Sequence, residues 1–332
     1  MVALVDIDRR ALDQAGESLG VEPACRFVGI REALDAVDAD LAILVIQPHL
    51  RREAIELATD WNMAILTEKP LAHRWDDALE IYRRCRATGA KLAVMQNYPH
   101  TNRIRTLKSV LDSGEMGRIN YISARFAADY TIDSAGGAFR HQIPFAMLFE
   151  GVVHHFDQRR NLSGADGSRI SGVQWNPPWS TFSEPPTALF LLEMTNGVAC
   201  QLEINHVARG RQNGWDHELY RVECEHGEVA LAADGVVRVF RHLGAGDLET
   251  TQVDPVAMTP SGHDAVIAGM LDWLDGGPPP ESEIGDNIYT AAITFAAVEA
   301  VKTHQTIDIE AMMDAAGLAA SSPRNSRTAG AS

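Results

Sequence analysis

Two sheets of different kinds are expected from this chain: an α/β domain built on a parallel sheet, then a larger α+β domain whose open, mainly antiparallel sheet carries helices on one face. Three observations lead there. Residues 1–97 alternate short apolar runs with amphipathic stretches, as βα units do. Between 185 and 242, strand-like runs succeed one another with tight-turn pairs such as NG, HG and DG between them. Two long helical patterns then follow, over 263–277 and 286–305.

The predicted strands of the first domain are VALVD (2–6), DLAILVI (40–46), MAILTE (63–68) and KLAVMQ (91–96). Between them RRALDQAGESLG, HLRREAIELATDWN and RWDDALEIYRRCRATG carry apolar residues at helical spacing and stop near Gly or Asn, as helix C-termini do. One further helix, about TNRIRTLKSVLDSG, leads through GEMG into INYISARFAADY, whose alternation belongs to a different sheet, so the boundary falls near 97–118. The second domain's strands are TALFLLEMT, VACQLEINHV, ELYRVECEHG, EVALAA and VVRVFRH. The domains are therefore set at 1–97 and 98–314, with a small, polar, unpatterned tail over 315–332 that is expected to be disordered.

With 29 Lys and Arg against 45 Asp and Glu, the formal charge of −16 repels a phosphate backbone, and no nucleic acid partner is expected. No apolar run approaches the roughly 18 residues that span a bilayer, so no membrane association is expected. The opening MVALVDID has no basic and apolar export pattern, which makes the cytoplasm the expected compartment. Cys25, Cys85, Cys200 and Cys224 are scattered without metal spacing and read as reduced, buried thiols.

A Rossmann unit runs strand, glycine-rich loop, helix, and then a second strand ending in an acid for the adenosine ribose. Asp6 closes VALVD at that acid's place, and nothing glycine-rich precedes it. The cofactor domain is therefore expected to be incomplete, lacking its first strand and glycine-rich loop, as a truncated form or a late start would leave it. An empty slot between VALVD and DLAILVI should follow. Read alone, Asp6 is also a turn or cap residue, with Asp8 as the other cap.

TEKPLA (67–72), with QPHLRREA (47–54), LKSVLDSGEMGRI (107–119), EGVVHHFDQRRNLSG (150–164), RVECEHGEVALAADGVVRV (221–239) and the closing helices, resembles the Gfo/Idh/MocA oxidoreductases in order and spacing. The resemblance implies hydride transfer between NAD or NADP and a sugar, polyol or related hydroxylated compound. It places Lys69 of the EKP turn at the reacting oxygen, His154 as the base and Glu150, where an Asp is common, as the residue that orients substrate or histidine. An acid and an imidazole at i and i+4 share a helix face, and imidazole titrates near working pH. Asp6, Gln47, Pro48, Glu68, Lys69 and Gln96 are expected to border the cofactor. A carboxylate at Asp6 favours NAD over NADP, whose phosphate it would repel. Departures stand at Gln47, Pro48, His49 and Arg52, where T-P-N and a histidine are usual, and at Pro99, where Arg is usual. No metal is expected. A homodimer or homotetramer is, because the open sheet has apolar area to cover. Two other readings remain open: a binding or regulatory protein with impaired cofactor use, and redox-assisted glycoside cleavage. The loop residues Trp215 and His217 suit either sugar contact or packing.

Overall fold

The computed structural model describes residues 1–131, 141–215 and 217–318, and the part of the expected tail from 319 onward lies outside them. The N-terminal region runs β1 (Leu4–Val5), α1 (Arg9–Leu19), β2 (Arg26–Phe27), α2 (Ile30–Ala36), β3 (Leu41–Leu44), α3 (Pro48–Asp60), β4 (Ala64–Thr67), α4 (Trp75–Thr88) and β5 (Leu92–Val94). Local chemistry sets these bounds. The Asp8 carboxylate caps α1 by accepting from the Arg10 and Ala11 amides, and Gly20 ends the helix in the left-handed region at φ 67°. Pro48 opens α3 at a position where its missing N–H costs nothing.

Strands β3, β4 and β5 form one parallel sheet, while β1 and β2 form a separate parallel pair. The two sheets share no ladder, and Val5 of β1, Ile43 of β3 and Val45 just past β3 are exposed. The strands are shorter than their apolar runs, because the last residues of each run leave the ladder to form the strand-end turns that carry Glu68 and Gln96.

The chain continues through α5 (Asn102–Asp112), β6 (Ile119–Ala127), a π-helix (Met147–Val152) that runs directly into α6 (Val153–Ser163), and β7 (Gly167–Trp175). Then come β8 (Thr187–Met194), β9 (Ala199–Asn205), β10 (Leu219–Cys224), β11 (Gly227–Leu231), β12 (Val237–Gly244), β13 (Asp247–Gln252), α7 (Gly262–Leu274), α8 (Ile284–Thr303), β14 (Ile307–Asp308) and α9 (Ile309–Ala315). The nine-stranded sheet has the order β13-β12-β11-β10-β6-β9-β8-β7-β14 and is antiparallel except between β6 and β9. Strand β8 shows its two faces plainly: Ala188, Phe190, Leu192 and Met194 are buried, while Leu189, Leu191 and Glu193 point outward. Among the described residues no helix is long and apolar enough to cross a membrane.

Helix α8 is apolar almost all round because it has neighbours on both sides, α4 and β5 of the first region and β7 and α6 of the second. One continuous core results, running from Ile65 and Val94 to Ile122, Phe156 and Phe190. At its centre the Arg160 guanidinium donates to Asp166, Asp286 and Thr290, tying α6 to α8, and the acids around it hold it protonated against the effect of burial.

Candidate active site

The parallel strands deliver their carboxyl ends to one side, where ligands of open α/β sheets bind. Strand β4 ends at Thr67, so Glu68 and Lys69 follow in the turn, with the Lys69 amide 3.2 Å from its neighbour's Glu68 Oε2. Arg51 fixes that turn from below. It is 3% exposed, and its guanidinium donates to the carbonyls of Ile46, Glu68 and Pro70, so three backbone acceptors are gathered by one side chain. Burial lowers its pKa to about 10, although Glu68 and Glu150 pull the other way.

From this turn Lys69 reaches across to the second region: its Nζ donates to the Glu150 carbonyl at 2.8 Å and stands 3.7 Å from Glu150 Oε2. The expected regular helix at 150–164 is here a π-helix up to Val152 and an α-helix after it. The wider turn changes which amide each carbonyl faces, which suits a carbonyl taken by Lys69. Gly151 lets this segment lie close against His206, just past β9, since a methyl there would lie 3.0 Å from the His206 ring.

His154 begins the following turn. It is 6% exposed, its Nδ1 has no hydrogen-bond partner, and the Tyr98 ring stacks on it at 4.6 Å. Burial drives its pKa well below the ordinary value, and the charges of Lys69, His155 and His263 push the same way. At neutral pH it is therefore an uncharged imidazole with an open nitrogen, the state in which it accepts a proton. Beyond it Phe126, Tyr130, His206 and Trp215 form an aromatic wall, with Trp215 edge-on to His154 at 6.0 Å.

Lys69, Glu150 and His154 thus come together, and Glu68 adjoins them. Gln96, just past β5, is 1% exposed with both amide atoms unpartnered, as a group poised for a bound molecule would be. Gln47 and Pro48 lie beyond β3 at the start of α3. Asp6 stands further off, exposed at the end of β1 and accepting from the Asp8 amide, while Asp8 takes the cap. Arg51 and His206 have no sequence pattern that marks them, while Tyr98 and Trp215, both singled out in the sequence, take their places through partners distant along the chain. Among the described residues no group of three or more His, Cys, Asp or Glu side chains is placed to hold a metal ion.

Comparison with known proteins identifies both parts of the chain. Residues 1–96 match the oxidoreductase family model with an NAD-binding Rossmann fold, and residues 104–230 match the GFO/IDH/MocA C-terminal domain. The chain is 30% identical over 97% of its length to the uncharacterized protein y4oX of Sinorhizobium fredii, covering 91% of that protein. It is 23% identical to a D-apiose dehydrogenase of Paraburkholderia graminis, over 94% of this chain and 84% of the relative. A solved oxidoreductase from Agrobacterium radiobacter, in complex with NAD+, L-tartaric acid and magnesium, shares the fold at a TM-score of 0.82 and 20% identity, over 94% of this chain and 91% of that one. With a Rossmann-type parallel sheet, a large mixed sheet behind it and both family domains matched in order, the chain belongs to the Gfo/Idh/MocA family of oxidoreductases.

Proposed function

We propose that this oxidoreductase moves hydride between a nicotinamide cofactor and an alcohol carbon of a sugar, polyol or related hydroxylated compound. The meeting of Lys69 with Glu150, one turn of helix before His154, carries this reading. The residues present fit the cofactor: the unpartnered Gln96 amide and the half-buried Glu68 lie past the carboxyl ends of β5 and β4, and Asp6 lies past β1. Asp6 favours NAD, because its carboxylate pairs with free ribose hydroxyls and repels a phosphate.

When bound, the nicotinamide supplies the hydride acceptor in the oxidative direction. The neutral His154 takes the hydroxyl proton. The Lys69 ammonium, held by the Glu150 carbonyl, donates to the same oxygen and stabilises the charge that develops there. Glu150 fixes where that ammonium points, and the half-exposed Trp215, backed by the buried Phe126, offers a flat apolar face to the C–H side of a sugar. The exposed Val173, Leu189 and Leu191 on the open sheet support pairing with a second copy.

Absorbance of reduced nicotinamide, followed with NAD and NADP across a panel of sugars and polyols, tests the reading. Turnover that drops by about a hundredfold or more in both Lys69→Ala and His154→Ala is expected. Unchanged rates in the two variants would refute it.

A further inference from the structure

A cavity of about 460 Å³ is lined among others by Asn97, Asn102, Arg103, His263 and Asp264. Two lining residues link it to the active site: Asn97 precedes Tyr98, the ring stacked on His154, and His263 is near enough for its charge to bear on His154.

Arg103 is the informative residue. Its guanidinium lies over Gly235, a turn residue at φ 78°, and approaches it closely because no Cβ stands between them. Its Nη1 is 3.5 Å from His217 Nδ1, yet that same Nδ1 stands 2.9 Å from the Ala233 carbonyl. A carbonyl oxygen only accepts, so Nδ1 carries a proton and cannot accept from Arg103. Among the described residues Arg103 makes no ion pair. A half-buried guanidinium that lines a cavity and has no carboxylate partner among the described residues suits an anionic ligand.

Two further features add to it. Arg103 sits in the first turn of α5, where the helix dipole already favours negative charge, and α7 also begins at the cavity; neither helix has a side-chain cap. Asp264 lines the same space and discriminates in the opposite sense. It disfavours a ligand that is anionic throughout, such as a free phosphate, and accepts hydrogen bonds from hydroxyl groups. A molecule with a carboxylate at one end and hydroxyls along its length satisfies both residues.

Resting on the dehydrogenase reading, we propose that the alcohol presented to Lys69 and His154 belongs to a polyhydroxy carboxylic acid, an aldonate or a uronate, whose carboxylate is bound by Arg103. The same anion chemistry could come from a phosphate of the cofactor, and the experiment separates the two. Calorimetric titration of the full chain with D-gluconate, D-galactonate, D-glucuronate and D-galacturonate, each against its neutral amide, is repeated with Arg103→Leu and Arg103→Lys, and NAD is titrated into all three proteins. At least one acid should bind about tenfold or more tightly than its amide, a preference lost in Arg103→Leu and partly kept in Arg103→Lys, with NAD affinity unchanged. No acid preferred to its amide, a preference that survives Arg103→Leu, or NAD affinity that falls in Arg103→Leu would each overturn the assignment. Hydride transfer from a neutral sugar that ignores Arg103→Leu removes the acid and leaves the dehydrogenase standing. Arg103-dependent binding of an acid without hydride transfer from any acid supports the anion site and counts against the dehydrogenase.

Discussion

Tyr98 lies flat against His154, ring centroids 4.6 Å apart and planes 19° from parallel, and donates its hydroxyl to Glu218 at 2.7 Å. The stack holds the imidazole, and the buried carboxylate holds the tyrosine. Tyr98→Phe keeps the ring and loses the hydroxyl, so it should lower stability by about 1–2 kcal/mol with a small change in kcat. Tyr98→Leu loses the stack as well and should cut kcat by about tenfold or more. Denaturation curves and steady-state kinetics on the two variants separate these effects; equal kcat in both would show that the stack does not place His154.

The charge of Lys69 contributes to keeping His154 neutral. Removing it in Lys69→Met should raise the histidine's titration midpoint, because one of the cations opposing protonation is gone while burial persists. Histidine NMR titration of the wild type and the variant measures this directly, without turnover. An unmoved or lowered midpoint would contradict the arrangement.

Arg51→Met should loosen the turn that carries Lys69. The carbonyls of Ile46, Glu68 and Pro70 lose their shared donor, at a cost of about 3 kcal/mol in stability. The kcat should fall further than the destabilisation explains at temperatures where the variant is fully folded. Arg51→Lys, which supplies charge without the planar fork, should recover only part of either loss.

Acid should weaken the fold before it protonates the carboxylates broadly. His206 is buried and its pKa lies at about 4, against 6.5 for an unhindered histidine, while His154 and His155 are also pushed down by burial. Below pH 6.5 the unfolded chain binds these protons and the folded one does not, so the stability present above that pH is lost progressively as pH falls toward 4. For His206 alone the loss is about 3 kcal/mol. Urea midpoints at pH 7 and pH 5 should differ, and His206→Gln should shrink the difference; identical midpoints at the two pH values would argue against neutral burial.

The parallel βα units were legible because their apolar runs are bounded by helix stop signals, and Lys69, Glu150 and His154 were legible through the motif segments around them. Other features were not, three of them for clear physical reasons. Strand β13 is exposed along its whole length, so no alternation marks it. Strand β7 contains Gly172, packed so closely on Phe190 that a methyl would sit 2.4 Å from its ring, and a glycine leaves no hydrophobic signal where the strand is in fact tightly fitted. The π-helix has no local signature, and the contact its Glu150 carbonyl makes is with Lys69, which lies 81 residues away. Arg51 illustrates the same limit: a cation in a charged stretch looks solvated until its acceptors, 17 and 19 residues further on, fold over it.

Helix α8 has a consequence for how the molecule comes apart. Its 20 residues are packed on one side by α4 and β5 and on the other by β7 and α6, so neither sheet can be stripped from it without exposing the core of the other. The two halves of the active site, Lys69 on the first and His154 on the second, are thus mounted on a common beam. Heating should yield a single calorimetric transition with activity and secondary structure vanishing together, since the protein melts as one cooperative body.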